Sequence, residues 1–255
     1  MSRRERLRAE TLAEIKATAR SQMAESGTAA ISLNAIARAM DMSGPNVYRY
    51  FHSRDDLVTA LIVDAYDDLA DTLEAAPEGL PPASYGLRLM AVLMAYREWA
   101  LAHPVDFKLI YGNPIPGYRA PGEATTSPAR RGFAVILRIL AKAQRAGRLR
   151  IPLDQRALPQ GLAAGLPPTG EGSADQTPAE LVYLGVVGWA RLHGILMLEL
   201  FGHTSAIISD HGKFYRHEME NLCREAGLLP APPDRAHGGR PLKTHAGQPA
   251  LRGDI

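Results

Sequence analysis

A short segment near the N-terminus concentrates side chains whose hydrogen-bonding groups match those of nucleic acids. Asn46 and Arg49 carry planar groups that can pair bidentately with the edges of adenine and guanine. Tyr48 and Tyr50 add hydroxyl groups, and Arg54 adds a cation that can meet a phosphate. Each could instead be an ordinary surface group, and the tyrosines could pack on a core. The chemistry therefore depends on whether the local structure presents these side chains together.

The pattern around them predicts two short helices joined by a tight turn over residues 32–51. The first helix has an apolar stripe at the spacing i, i+3, i+4 and i+7, formed by Leu33, Ile36, Ala37 and Met40. Ser32 suits the N-cap of this helix, residues 41–44 interrupt the stripe, and Pro45 suits the first turn of the second helix. Two helices joined in this way form the helix-turn-helix unit, whose second helix enters the major groove of DNA.

Longer helices are predicted on both sides of this unit. The preceding helix has a stripe formed by Leu12, Ile15, Ala19 and Met23, and Gly27 suits its end. Ser53 and Asp56 resemble a capping box that starts the next helix, with apolar positions at Leu57, Leu61, Ala65, Leu69 and Leu73. Further helices are predicted near residues 83–102, 105–111, 133–140, 178–201 and 207–226. The sequence predicts a loop over residues 113–127, and mostly loop over 151–178 with at most one short helix at 153–164.

Composition favours an all-α protein, because helical stripes recur and alternating apolar stretches are almost absent. The 255 residues are 46% hydrophobic, which is ample for a core, and the net charge of +2 does not by itself indicate a nucleic-acid partner. Arg3, Arg4, Arg6 and Arg8 make residues 1–9 a flexible basic arm, which could add phosphate contacts or could only solubilise the terminus. Residues 227–255 lack periodicity and are rich in Pro and Gly, so we expect a disordered tail.

Several other classes of protein do not fit the sequence. The single cysteine, Cys223, excludes an intramolecular disulfide and suits a reducing cytoplasm, and the charged N-terminus argues against a secretory signal. Residues 181–201 are long enough to cross a membrane, but Arg191 near their middle would cost roughly 2.5–3.5 kcal/mol on an insertion scale. A helix buried in protein is the simpler interpretation.

No catalytic, cofactor or metal site is predicted. The sequence has no nucleophile motif and no glycine-rich phosphate loop, and the acidic residues at 67, 68 and 71 suit a solvated helix face. The histidines at 193, 203, 211 and 217 and Cys223 lack the i, i+3 or i, i+4 spacing of helical zinc ligands. We therefore expect a protein that is not an enzyme.

Residues 10–70 resemble the tetracycline repressor (TetR) family of bacterial transcription regulators. The residues in register are Ser32, Ile36, Ala37, Met42, Ser43, Val47, Tyr48, Tyr50, Phe51, Ser53, Arg54 and Leu57. Met42, Val47 and Arg54 depart conservatively from the valine, leucine and lysine of the family pattern. The resemblance implies a three-helix DNA-binding domain over residues 10–70, joined by a long helix to an effector-binding and dimerisation bundle over residues 71–226. It implies DNA contacts from Asn34, Gly44, Pro45, Asn46, Tyr48, Arg49, Tyr50 and Arg54.

The C-terminal half is similar to a subgroup of this family with a W-x3-H-G signature, here Trp189, His193 and Gly194. This similarity implies an effector pocket lined by Trp99, Phe107, Tyr111, Trp189, His193 and Met197. The alternative is that all six are ordinary core residues. A buried His193 needs a hydrogen-bond partner, which a ligand or Glu199 could supply.

The family also implies a homodimer held by its last two long helices. Gly185, Gly188 and Gly194 cost helix stability, and small residues allow a second backbone to approach closely. We expect Gly185, Gly188 and Phe214 at the dimer interface, with close packing inside one subunit as the alternative for the glycines.

Taken with the helix-turn-helix pattern, the resemblance implies a homodimeric repressor that reads a pseudo-palindromic operator on double-stranded DNA. A small apolar or amphipathic effector would release it. The alternatives are an effector-independent or activating regulator of the same fold, or a ligand- or partner-binding helical protein that has lost DNA binding.

Overall fold

The computed structural model describes residues 2–151 and 178–230, and in these ranges every regular element is helical. The α-helices are α1 (Arg3–Ser26), α2 (Leu33–Ala39), α3 (Gly44–Tyr48), α4 (Arg54–Ala75), α5 (Tyr85–Ala102), α6 (Pro104–Tyr111), α7 (Gly122–Arg145), α8 (Ala179–Leu200) and α9 (His211–Glu225). A short 3-10 turn at Thr28–Ala30 separates α1 from α2. The predicted all-α class is confirmed.

The N-terminal core gathers the predicted apolar stripes of α1, α2, α3 and the first half of α4. Its fully buried members include Ile15, Ala19, Ile36, Val47, Leu57 and Leu61. Serine N-caps start α2 and α4: the Ser32 hydroxyl accepts from Ala35 N–H, and Ser53 forms the predicted capping box with Asp56. Short local signals therefore account for this domain.

Asp41 makes the turn between α2 and α3. Its φ of 51° lies in the left-handed region, which a short polar side chain tolerates better than a bulky one. The turn is closed by Met42 N–H, which donates to the Ala37 carbonyl at 2.9 Å.

The N-terminal arm differs from the expectation, because α1 already begins at Arg3. Ser2 and Glu5 form a capping box: Ser2 N–H donates to the Glu5 carboxylate at 2.7 Å, and Glu5 N–H donates to the Ser2 hydroxyl at 3.2 Å. The acidic residue that interrupts the arginines therefore starts a helix, and the basic side chains project from its first turns.

The second core joins the C-terminal half of α4 to α5–α9. It includes the fully buried Leu89, Leu93, Phe107, Leu181 and Tyr215. Helix α6 contributes to both cores, since Phe107 packs in the C-terminal core and Leu109 in the N-terminal one.

The structure corrects two predicted boundaries between helices and loops. The loop predicted over residues 113–127 ends at residue 121, because the Pro121 carbonyl accepts from Thr125 N–H and begins α7; Pro128 lies within that helix. Helix α9 begins at His211 instead of Ile207, because Asp210 caps it by accepting from Lys213 N–H.

The start of the predicted tail is also corrected, since Leu228 and Leu229 pack against the C-terminal core. The short helix predicted at 153–164 and the remainder of the tail, residues 231–255, lie outside the described residues.

Candidate nucleic-acid interface and cavity

Helix α3 presents the side chains that the sequence selected for DNA contacts. Val47 is fully buried in the N-terminal core, which fixes the orientation of this short helix. Pro45, Asn46, Tyr48 and Arg49 are all exposed on its other sides. An amide, a guanidinium and a phenol are therefore free to meet base edges and phosphates.

Asn34 and Gly44 are neighbours at the start of α3. A Cβ atom built on Gly44 would lie 3.7 Å from the Asn34 Oδ1, and Asn34 is exposed on α2. Arg38, one turn after Asn34, is also exposed, as is His52. Arg38 was not among the predicted DNA contacts, although its i, i+4 spacing from Asn34 places both on one face of α2.

Tyr50 and Arg54, two further predicted DNA contacts, make internal contacts. Tyr50 is half-buried against the N-terminal core, and the Arg8 guanidinium lies 5.5 Å from its ring centroid. Arg54 donates to the backbone carbonyls of Ile31 at 3.2 Å and Ala29 at 3.1 Å. Both residues therefore hold the domain together, whatever contact they make with DNA.

A cavity of about 710 Å³ lies between α4, α5, α6, α7 and α8. Of the six predicted pocket residues, Tyr111 and Trp189 line it. The other aromatic side chains in its wall were not among the predicted pocket residues; they are Tyr66, Tyr96, Tyr118 and Phe133. The volume and the apolar lining suit a small molecule of ordinary size.

The other four predicted pocket residues do not line the cavity. Phe107 is fully buried in the C-terminal core, and Met197 is partly buried and packs against the same core. Trp99 is 3% exposed, and its indole N–H donates to the Asp68 carboxylate at 2.6 Å. Helix periodicity placed Trp99 and Phe107 on inward faces, but both point into packed protein.

His193 lies one layer behind the cavity wall. Its Nδ1 lies 2.7 Å from the hydroxyl of Tyr96, which does line the cavity, and its ring stacks on Trp189 with centroids 4.9 Å apart. Glu199, the partner considered from the sequence, is paired with Arg97 instead. Tyr96 therefore supplies the partner that a buried imidazole needs.

The pKa of His193 gives a testable pH dependence. Burial lowers this pKa below its ordinary value of 6.5, so just below that pH the unfolded chain binds more protons than the folded protein. The His193 contribution to stability is then fully present above that pH and falls as the pH drops. We expect the free energy of unfolding to show this fall, and His193→Leu to lose that part of it.

The measurement is urea unfolding of both proteins between about pH 7.5 and about pH 5.5. The remaining histidines contribute equally to both proteins, so the difference between the two curves isolates His193. Curves that run parallel over this range would contradict the assignment.

Two of the glycines in α8 lie against side chains of the same subunit. A Cβ on Gly185 would lie 2.9 Å from Leu137 Cδ2 of α7, and a Cβ on Gly188 would lie 3.4 Å from Leu222 Cδ1 of α9. Among the described residues, a Cβ on Gly194 would meet no atom within 4 Å. Gly194 is therefore the glycine on the open side of the helix.

Gly194 belongs to an exposed apolar surface, here named the α8 face, made by Val187, Gly194, Leu198 and Phe201. Their spacing of i, i+7, i+11 and i+14 keeps them on one side of a helix. Val187, Leu198 and Phe201 are 43%, 45% and 43% exposed, and Phe214 on α9 is 39% exposed. A contiguous exposed apolar surface is typical of an interaction site.

Helix α8 is also the helix, within the described ranges, that is long and apolar enough to cross a membrane. It packs against α7 and α9, and Arg191 binds Glu218 at 2.7 Å and Glu225 at 2.9 Å. Within the same ranges, no group of His, Cys, Asp and Glu could hold a metal ion.

Two family models match the chain over its two domains. Residues 15–61 match the model described as bacterial regulatory proteins of the tetR family, and residues 89–222 match the tetracyclin repressor-like C-terminal domain. The HTH-type transcriptional regulator Rv1816 of Mycobacterium tuberculosis (strain ATCC 25618 / H37Rv) is 34% identical over 201 residues, which are 78% of this chain and 85% of that protein. The regulator Mb1846 of Mycobacterium bovis gives the same values.

Solved structures agree with this assignment. The crystal structure of the regulatory protein SCO4313 is 38% identical, with a TM-score of 0.67, and covers 87% of this chain and 98% of that one. The TetR family regulator PfmR from Thermus thermophilus shares the fold at 16% identity and a TM-score of 0.54, covering 82% and 97% of the two chains. Proteins of this family are not enzymes. The chain belongs to the TetR family, and it is a helix-turn-helix DNA-binding transcription regulator.

Proposed function

We propose that this regulator is a homodimeric, cytoplasmic repressor that a small-molecule effector releases from a pseudo-palindromic operator. The observation that carries the proposal is that side chains lining the cavity also belong to the core of the DNA-binding domain. Ile62 of α4, Leu109 of α6 and Ile115 after α6 are members of both. A molecule in the cavity would therefore touch residues on which the helix-turn-helix unit packs.

Two ion pairs strengthen this connection. Arg20 of α1 donates from Nε to both Asp106 oxygens, at 2.9 and 3.1 Å, and Lys16 of α1 lies 2.8 Å from the Asp64 carboxylate of α4. Asp106 is only 8% exposed, and a buried carboxylate left without its partner is costly. A shift of α6 would therefore tend to move α1 with it.

The mechanism follows from the spacing of two reading helices. A dimer of helix-turn-helix units binds half-sites about one DNA turn apart, so it needs one separation between its two copies of α3. An effector lowers DNA affinity if it binds more tightly to a conformation in which the two copies of α3 have a different separation. The loss of DNA affinity is limited by the difference in effector binding free energy between that conformation and the DNA-binding one. Helices α4 and α6 are the elements that would carry the change.

The α8 face supports the proposed dimer. It is apolar and exposed and lies on α8 and its C-cap Phe201, and Phe214 adds an exposed aromatic side chain on α9. An isologous interface presents the same surface from each copy, so two α8 faces can cover one another around a two-fold axis.

The test is a selection of genomic DNA fragments by the purified protein, followed by footprinting and a reporter assay. We expect protected sites with two inverted half-sites, and higher transcription when the protein is absent. Lower transcription in its absence would make it an activator, and no selected DNA would favour a helical protein that no longer binds DNA. Binding that no small molecule relieves would favour an effector-independent regulator.

Arg49→Ala is expected to relax specificity at one base position in each half-site and to cost roughly 1–3 kcal/mol of binding free energy. Arg49 is exposed at the C-cap of α3, and arginine is the commonest partner of guanine in the major groove. The measurement is binding to operators substituted one base pair at a time. Arg119→Ala, an exposed arginine outside the DNA-binding domain, serves as the control. Uniform weakening across all operators would make Arg49 a phosphate contact instead.

A further inference from the structure

The cavity has an unbalanced charge. In the part of the chain that the structure describes, its lining contains no aspartate or glutamate, and Arg130 of α7 is its one charged side chain. Neither Tyr96 nor Tyr111 compensates, because burial raises the pKa of both phenols and keeps them neutral. The cavity therefore offers a positive charge and neutral hydrogen-bonding groups to whatever enters it.

Arg130 and its neighbour Arg131 have different surroundings. Arg131 is held by three carboxylates of α4, those of Asp67, Asp71 and Glu74, at 3.6, 2.5 and 2.5 Å. Adjacent residues on a helix point about 100° apart, so Arg130 faces the cavity instead of α4. No carboxylate of the described residues lies within ion-pairing distance of Arg130. Arg130, which lines the cavity, therefore has no carboxylate partner among the described residues, whereas Arg131 has three.

Buried apolar side chains and exposed polar side chains both line the cavity, and the buried Tyr96 and Thr125 add hydroxyl groups to its wall. The inner wall includes the buried apolar side chains of Leu69, Leu73 and Ile136. Asn113, Thr126 and Arg130 line it as well, and these three residues are exposed. A molecule with an apolar body against the inner wall and a polar head near these three exposed residues would match this distribution.

We infer that the cavity binds an amphipathic organic acid, with its apolar body against α4 and α7 and its carboxylate on Arg130 at the rim. The inference rests on the proposed function only in naming this acid as the effector, since its binding to the cavity is independent of DNA. A ligand carboxylate would give Arg130 a charged acceptor, which none of the described residues provides. A cation of the same shape would meet Arg130 with no carboxylate to offset the repulsion.

The test uses three probes that share one alkyl chain: decanoate, 1-decanol and decyltrimethylammonium. Calorimetric titration of the full-length protein without DNA is expected to give the order decanoate, decanol, decyltrimethylammonium, from tightest to weakest. Arg130→Gln is expected to weaken decanoate binding roughly threefold to tenfold and to leave decanol binding unchanged. Arg119→Gln, in the preceding loop and outside the lining, should change neither affinity.

Because Arg130 is exposed, Arg130→Gln should keep the wild-type thermal midpoint, which separates a binding effect from a folding effect. Equal affinity for the three probes, preference for the cation, no binding of any probe, or identical behaviour of the two glutamine variants would overturn the inference. If decanoate binds through Arg130 but does not release selected DNA, the charge assignment stands and the proposed release by effector fails.

Discussion

Leu198→Glu is expected to convert the proposed dimer into a monomer and to lower affinity for a two-half-site operator by at least about a hundredfold. Leu198 is 45% exposed within the α8 face, between Gly194 and Phe201. In a two-fold interface each copy would bury one glutamate against the apolar face of the other, and burying an unpaired carboxylate is costly. In the monomer the same glutamate stays in water, so folding should be unaffected.

The measurements are sedimentation and operator titration of the same preparations. Leu87→Glu is the matched control, because Leu87 is an apolar residue on α5 that is 54% exposed and lies outside the α8 face. We expect the control to remain dimeric with full operator affinity, and Leu198→Glu to keep binding a single half-site weakly. A Leu198→Glu protein that sediments as a dimer would place the interface elsewhere.

The exposed face of α8, on which Leu198 lies, could not be identified from the sequence alone. The sequence indicated three glycines that could allow a close approach, and the structure separates them by what lies opposite each one. Gly185 and Gly188 face Leu137 and Leu222 of the same subunit, while Gly194 faces no atom of the residues that the structure describes within 4 Å. Helical spacing defines the faces of one helix, but only the packing of α7 and α9 decides which face is left open.

The DNA-binding domain could be predicted more completely, because its signals are local. The Ser32 and Ser53 caps and the inward positions of Ile36 and Val47 depend on a few neighbouring residues, and the structure has all of them. The internal hydrogen bonds of Arg54 were not predictable in this way, since its acceptors lie more than twenty residues earlier in the chain.

The cavity was the least predictable part. Its wall draws on α4, α5, α6, α7 and α8, so residues such as Tyr66 and Arg130 join it only through tertiary packing. From the sequence, bulky aromatics on the predicted C-terminal helices were the candidates for pocket residues. That criterion does not distinguish a side chain facing a cavity from one buried behind it, as Tyr111 and Phe107 demonstrate.

Phe107→Ala and Tyr111→Ala should therefore differ in their effects on stability and on ligand binding, although both remove an aromatic ring from α6. Phe107 is fully buried, and its ring lies 6.2 Å from Tyr96, 5.2 Å from Tyr111 and 5.5 Å from His193, measured between centroids. Truncating such a residue leaves a void in packed protein, so we expect a loss of about 3–5 kcal/mol in the free energy of unfolding. Tyr111 borders a cavity that already exists, so its truncation should cost less.

Ligand affinity should distinguish the two variants in the reverse order, with the larger change in Tyr111→Ala. Tyr111→Ala changes the shape of the cavity wall, so we expect a clear change in decanoate affinity with most of the stability retained. Phe107→Ala should keep the wild-type affinity at temperatures where it is folded, because the removed ring does not line the cavity. Urea unfolding and calorimetric titration of both variants decide the matter. If Phe107→Ala altered ligand affinity while leaving stability intact, Phe107 would be a pocket residue as the sequence first suggested, and the cavity would extend deeper than the structure places it.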